Sequence, residues 1–435
     1  MNKILRTLLG TAAVAAVGAI ALVPTVPFAV TAGETSSQTI SVDPNPLQIS
    51  CPGAFIEVGG ESGTELGSVE RRGEASVGAA QSEWQPATPL ITGFTELIAE
   101  GTVQSTELLS ANQTQYVDRQ RARGIAATFC EQPSSSGWFI SGQSSVGAET
   151  VLLMHNPNQV DTQVIIRYHL PGGMSEQRYA LAAGEEQFFS LAAEAGLEPS
   201  YAIEYESLGA PISMALQHRY SRGLTPLGVD LSMASSAPAR DQWITPVQVV
   251  GEGYQPALLR LFAPGDAAEV IVTAFSDADP QLFRVLVPTA GFTELALELP
   301  NGLYALKLES DSEVLAGVLN PSLEPLDQAW IYPSNSFNEL TMAVPQYQSE
   351  LVLTNPNALA ISANLTLQTG QRRAIQSVQI EPLSSVSLPV NADSLSIVSA
   401  NQFYAALQIS DPLGYALIAP SENRNLGSEM EIWVR

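Results

Sequence analysis

The sequence predicts an all-β fold of tandem immunoglobulin-like β-sandwich modules behind an N-terminal signal or anchor segment. Three observations predict it. First, the stretch Tyr201-Ala202-Ile203-Glu204-Tyr205-Glu206-Ser207 returns as Tyr304-Ala305-Leu306-Lys307-Leu308-Glu309-Ser310, and again as Tyr404-Ala405-Ala406-Leu407-Gln408-Ile409-Ser410. Each copy leads through a turn into a short apolar run ending near Ala215, Ala316 or Ala416, the pattern of a β-hairpin. Second, a repeat at about 100-residue spacing has the size of one immunoglobulin-like sandwich. Third, comparable tryptophan strands recur at Trp138, Trp243, Trp330 and Trp433. In the third Tyr copy the apolar set is Phe403, Ala405, Leu407 and Ile409, one residue out of phase. A one-residue slip turns every side chain over, so a bulge sits there or Phe403 is the true match for Tyr304; the second reading is preferred.

Residues 1–32 read as a targeting segment. Lys3 and Arg6 open it, an Ala/Val/Leu-rich run follows from Leu8 to Val23, and Val30-Thr31-Ala32 offers a small-residue cleavage site. The rival reading is an uncleaved membrane anchor, since the run is long enough to span a bilayer; Pro24 and Pro27 favour cleavage. Residues 33–46 read as a Ser/Thr/Pro-rich tether.

A first module covers residues 47–131 and holds both cysteines, Cys51 and Cys130. An even pair in an exported chain implies one disulfide. Glu57 to Gly78 reads as a long, loose loop, so this module depends on its disulfide more than on its core. Sandwiches are then expected over 138–240, 243–326 and 330–435, each opening on a tryptophan strand. Inside them the strand order repeats: Val151 to His155 ends in Asn156-Pro157-Asn158, Leu351 to Thr354 in Asn355-Pro356-Asn357, and Leu258 to Phe262 in Ala263-Pro264-Gly265. An apolar run stopped by X-Pro is a buried strand entering a turn. Beyond the targeting segment only Leu191 to Gly196 suggests a helical turn. Trp433 is the awkward one, a last strand with no module after it.

Composition narrows the function. There are 44 acidic residues against 19 basic ones, a formal net charge of −25. That excludes nucleic acid as a partner, which needs clustered cations, and disfavours an anionic membrane surface. It suits an extracytoplasmic chain kept apart from its copies by like charge. Calcium capture at Asp277-Ala278-Asp279 or Asp311-Ser312-Glu313 is weaker, because neither loop has the ligand count or turn glycine of a calcium loop. Lys3 and Lys307 are the only lysines, which hints at a GC-rich bacterial genome.

Candidate chemistry is thin. His155, His169 and His218 lie in or beside strands without metal-ligand spacing, and a structural role is the expectation for each. No phosphate-binding loop, dinucleotide fingerprint or Gly-x-Ser-x-Gly elbow occurs, and Gly59-Gly60-Glu61-Ser62-Gly63 has the wrong spacing. The Glu185-Glu186 pair at a hairpin is expected to be solvated. No catalytic, cofactor-binding or metal-binding residue is therefore assigned, and no cofactor is expected. Exposed tryptophan can stack on sugar rings, but one tryptophan per module at a fixed strand position is also what core packing produces, and core is the preferred reading.

Cys51-Pro52, then Cys130 shortly before Trp138-Phe139-Ile140 and the strand ending Asn156-Pro157, resembles an actinobacterial family of exported proteins known only as a domain of unknown function. The resemblance runs from about Leu47 to the C-terminus and supplies no catalytic residues. It implies a secreted or tethered protein of the cell envelope, with genes beside a large membrane glycosyltransferase. The expectation is an exported structural, scaffolding or protein-interaction protein without catalytic activity. Its partner would be another envelope protein or a surface glycan, with membrane contact only through an uncleaved N-terminal segment. A glycan-binding accessory to that glycosyltransferase is the alternative, and an enzyme comes third.

Overall fold

The structure is a computed structural model that describes residues 36–41, 47–60, 68–80, 90–99, 110–235, 237–250, 256–421 and 429–434. The targeting segment lies outside the described residues. The chain divides into two compact units, one of residues 1–44 with 427–435 and one of residues 45–426. In the smaller unit Ser36–Ser41 pairs antiparallel with Glu429–Val434, placing Trp433 opposite Ser37. Residues 36–41 are therefore a strand rather than tether, in which Thr39 and Ile40 are the β-branched residues. Trp433 belongs to this ribbon and closes no sandwich.

In the larger unit the second module sets the plan. Its eight strands are Ser136–Gly142, Ala148–His155, Thr162–Leu170, Gly173–Leu181, Glu186–Ser190, Tyr201–Ser207, Ser213–Arg222 and Thr225–Met233. The first, sixth, third and fourth form one antiparallel sheet in that order; the fifth, second, seventh and eighth form the other. Short alternating strands each bury one face between the two sheets, as in Ala268–Phe275 of the next module, where Ala268, Val270, Val272 and Ala274 turn inward. One helix, Ala192–Ala195, follows the fifth strand.

The third module repeats this with Ala239–Val249, Leu258–Ala263, Ala268–Phe275, Gln281–Val287, Gly291–Ala296, Gly302–Ser322 and Asp327–Ile331. Its sixth and seventh strands are fused: Ala305 to Ser310 pairs with the third strand, Leu315 to Leu319 with the second. The fourth module does likewise with Phe337–Ala343, Ser349–Thr354, Ile361–Thr369, Arg372–Ile380, Ser385–Val390, Ser394–Asp411 and Gly414–Ile418. In the first module Leu47–Cys51 pairs with Thr95–Ala99 as the first and sixth strands, and Leu90–Ile91, Ala75–Ala80, Ser110–Arg119 and Ala122–Phe129 form the second sheet. The third and fourth strands have no counterpart there among the described residues. The Glu57 to Gly78 stretch, read as loose, holds the strand Val69–Arg71, which pairs with Ile56–Val58, and part of Ala75–Ala80.

Register corrects three sequence expectations. Tyr201 and Tyr304 open the same sixth strand, with Val164↔Ser207 matching Val270↔Ser310. Tyr404 does not: it pairs with Thr354 of the second strand, so it starts the seventh, and the counterpart of Ser207 is Ser399. Phe403 fails as the match too. The period-2 pattern and Tyr-to-Ser spacing are shared by any half-buried strand; only pairing tells sixth from seventh. Nor is the repeated unit a hairpin, because its two strands enter opposite sheets. The hairpins join seventh to eighth, as in Asp411↔Gly414, and third to fourth, as in Leu170↔Gly173.

Trp138 and Trp243 stand at equivalent first-strand positions, opposite Glu204 and Lys307. Trp330 lies in the eighth strand of the third module, opposite Leu319, so that module continues to Ile331 and the fourth opens at Phe337. Spacing alone grouped it with the other two.

The eighth strands fix how the modules meet. Asp327–Ile331 and Gly414–Ile418 are buried at every residue, because one face enters the home sandwich and the other a neighbour's. Ala416 and Ile418 pack in the fourth module's core, while Tyr415 and Leu417 pack in the third's. Likewise Ile125, Ala127 and Phe129 of the first module pack in the fourth's core, and Val229, Leu231 and Met233 of the second pack with Val117, Ala122 and Ala126 of the first. Trp330 of the third packs on Tyr220 of the second. Each module thus lends the back of its last strand to its predecessor, and the fourth is the first module's predecessor. The four heterologous contacts close a head-to-tail ring.

Candidate functional site

The four eighth strands converge on one side chain. The Asp327 carboxylate accepts backbone N–H bonds from Ile125 (2.9 Å), Val229 (3.1 Å), Gln328 (3.0 Å) and Tyr415 (2.9 Å), one from each module. Its equivalents in the other modules are Gly124, Gly228 and Gly414. A Cβ at Gly124 would come within 2.4 Å of an Asp327 oxygen, and one at Gly228 or Gly414 within 2.7 Å. Three glycines thus make room for one carboxylate. Asp327 is 1% exposed. Burial pushes its pKa up to about 8 against the four N–H donors that hold it down. Nearby Asp230, also buried, accepts from Trp330 N at 2.8 Å and is pushed up to about 7 by burial.

Other polar side chains are consumed at the joints. Arg260 of the third module, 1% exposed, donates to the Ile140, Gly142 and Pro199 carbonyls of the second at 2.8–3.2 Å. It also pairs with Glu294 and lies 4.9 Å over the Trp330 ring. Gln217 clasps the Ile56 backbone with both amide atoms, 2.6 and 2.7 Å. Asn112 Nδ2 donates to Ala343 O at 2.7 Å, joining first module to fourth. Thr245 and Thr354 hydroxyls bond at 2.7 Å, joining third to fourth.

The residues singled out by sequence fall into this framework. His155 Nδ1 lies 2.8 Å from Glu96 Oε1 and its ring stacks on Phe94, across the joint between first and second modules. His169 lies 3.4 Å from Glu204 and stacks on Trp138; burial lowers its pKa, opposed by Glu204. His218 is buried between Thr150 and Ser232 and held neutral, its pKa lowered by burial to about 3. Trp138 packs on Phe262 of the next module, and Trp243 stacks on Phe275 and on Tyr404 of the next. Glu186 is not the solvated acid expected: it pairs with Arg71 and accepts from Phe94 N, bracing the first module on the second. Glu185 does sit at the exposed turn, accepting from Ala182 N at 2.7 Å. Lys307 pairs with Glu309 at 2.7 Å. Cys51 and Cys130 are bonded, with Cα atoms 4.7 Å apart and both residues buried. Among the described residues no group of three or more His, Cys, Asp and Glu is placed to hold a metal ion.

Where the eighth strands end, they leave a cavity of about 340 Å³ on the ring axis, with walls from all four modules. Phe129 and Glu131 come from the first, Trp138, Tyr205 and Ser213 from the second, Trp330 and Tyr332 from the third, and Leu417 and Ser421 from the fourth. Burial raises the Glu131 carboxyl to about 8, opposed by a hydrogen bond from Ser421. Ser213 Oγ and Ser334 Oγ are buried without a hydrogen-bond partner.

Asp327, Arg260 and Glu131 were not anticipated from the sequence. A signal existed: Pro226-Leu227-Gly228, Pro325-Leu326-Asp327 and Pro412-Leu413-Gly414 each open an eighth strand. Read as a repeat, they single out Asp327 as the one acid at a glycine position.

Fold and site together define an all-β protein of four sandwich modules closed on a buried carboxylate, with a cavity where the eighth strands end. The chain belongs to the family described as "Family of unknown function (DUF5719)", whose match covers residues 82–391. No curated protein matches the chain. Among solved structures it is similar to the chicken CNTN1 FN1–FN3 domains at 13% identity, over 70% of this chain and 99% of that one. The TM-score there is 0.11, at which the likeness carries no structural inference.

Proposed function

We propose that this protein acts by binding rather than by catalysis, as an extracytoplasmic scaffolding or interaction protein of the cell envelope. The observation that carries this reading is the use of its polar side chains. His155, Glu186, Gln217 and Arg260 all hold one module to another, which makes a rigid body rather than a reaction centre. The Cys51–Cys130 disulfide supports an oxidising compartment, as does the apolar run at the N-terminus. Among the described residues no helix is long and apolar enough to cross a membrane.

The glycan-accessory reading stands second, because Trp138 and Trp243 are engaged at the joints while Trp138 still borders the axial cavity. Affinity capture of the full chain from its native membrane tests the proposal. A defined envelope protein is expected to co-purify in stoichiometric amount. Recovery of polysaccharide instead would favour the second reading, and recovery of the chain alone would contradict both.

A further inference from the structure

We propose that the axial cavity binds an organic cation, an ammonium or guanidinium group on a short apolar stem, either free or at the end of a partner's side chain. This deepens the binding reading above and rests on it.

Four features of the cavity point the same way. Its volume, about 340 Å³, lies within the range of small-ligand sites. Among its described lining residues Glu131 carries the one carboxylate, and no Arg, Lys or His of those residues accompanies it. Glu131 is half-buried, and a carboxyl drawn out of water without a cation among the described residues beside it is costly unless it stays protonated or a ligand supplies the charge. The walls also carry Trp138, Tyr205, Trp330 and Tyr332, and aromatic faces attract cations. Finally, Ser213 Oγ, on a residue 2% exposed, and Ser334 Oγ lack hydrogen-bond partners. Both oxygens lie behind the cavity surface, and a change of χ1 rotamer would turn either one to accept from a ligand rich in N–H donors.

The rival ligand classes fit less well. An anion meets Glu131 with no cation among the described lining residues to offset it. A neutral polyol would satisfy the serines but leave Glu131 uncompensated. The formal charge of −25 on the whole chain draws cations to its surface.

Titration calorimetry on the full chain tests this with butylamine, butylguanidine, 1-butanol and a lysine residue blocked at both ends. The cations are expected to bind about tenfold or more tightly than the alcohol, and Glu131→Gln should remove that preference. In the wild type, cation binding between pH 6 and 8 should release a proton from Glu131, read as a heat that depends on the buffer's ionisation enthalpy. Tighter binding of blocked lysine than of butylamine would assign the cation to a partner's side chain, and the reverse to a free amine.

Equal binding of alcohol and amine, no binding by any probe, or cation binding without proton release would overturn the proposal. The proton-release arm needs no variant, so it decides the matter even if Glu131→Gln fails to fold. Partner capture that survives while the calorimetric tests fail would leave the interaction reading standing while the cavity proposal falls.

Discussion

Asp327 concentrates the energetics of the molecule into one residue. All four of its recorded partners are N–H donors, so each loses its acceptor at once if the carboxylate goes. An unsatisfied buried donor costs about 1–3 kcal/mol, and Asp327→Ala is expected to destabilise by about 4 kcal/mol or more, read as a shift of the urea midpoint. Asp327→Asn keeps one acceptor oxygen but turns an amide N–H₂ toward donors, so its cost should fall between wild type and alanine.

Titration follows from the same burial. Asp327 and Glu131 have folded pKa values of about 8 and Asp230 of about 7, all above their ordinary range. Between pH 6.5 and 8 the folded chain therefore binds protons that the unfolded chain has already released. Stability must fall as pH rises through that window, by up to about 1.4 kcal/mol per unit for each group still titrating. His218, depressed to about 3, contributes the opposite slope, but only below its ordinary value of 6.5. Urea unfolding at pH 6.5 and 8 checks the sign, and Asp327→Asn should flatten the slope.

At the scale of strands and turns, what could be read from sequence was what depends on local pattern. Asn156 and Asn355, buried in their Asn-Pro-Asn turns, show it best. Asn156 Nδ2 donates to Val160, Leu181 and Ala182 carbonyls at 2.8, 3.2 and 3.0 Å. Asn355 Nδ2 donates to Leu359, Ile380 and Glu381 at 2.9, 3.1 and 2.9 Å. Strand existence was legible for the same reason, and the disulfide because the chain has just two cysteines. Register was not, because Tyr404 satisfies the alternating pattern equally well in a sixth or a seventh strand.

The exchange of eighth-strand faces was illegible as well, since Leu417 reads as core whichever module's core it enters. That exchange has a local consequence. Leu417→Ala should open a cavity in the third module's core, although the residue belongs to the fourth. A loss of about 2–5 kcal/mol is expected. Amide exchange should accelerate in Leu259 to Ala263 of the third module as well as at the mutated strand; acceleration confined to the fourth module would contradict the exchange.

At the largest scale, four tandem modules fit either a rod or a compact cluster, and in the unit of residues 45–426 the eighth strands decide between them. A linear array of modules is stabilised by nearest-neighbour interfaces and has two free ends. Here the ends meet, the cores are shared around the ring, and a single carboxylate is bonded to all four modules. The first module, smallest in core among the described residues, is held both by Cys51–Cys130 and by the ring.

Interlocked cores imply that the larger unit unfolds as one. Scanning calorimetry of the full chain under reversible conditions measures this directly, by comparing the calorimetric enthalpy with the van't Hoff enthalpy. The closed ring predicts one transition over residues 45–426 with the two enthalpies equal, moved as a whole to lower temperature by Asp327→Ala. Several resolved transitions, or a calorimetric enthalpy several times the van't Hoff value, would contradict it.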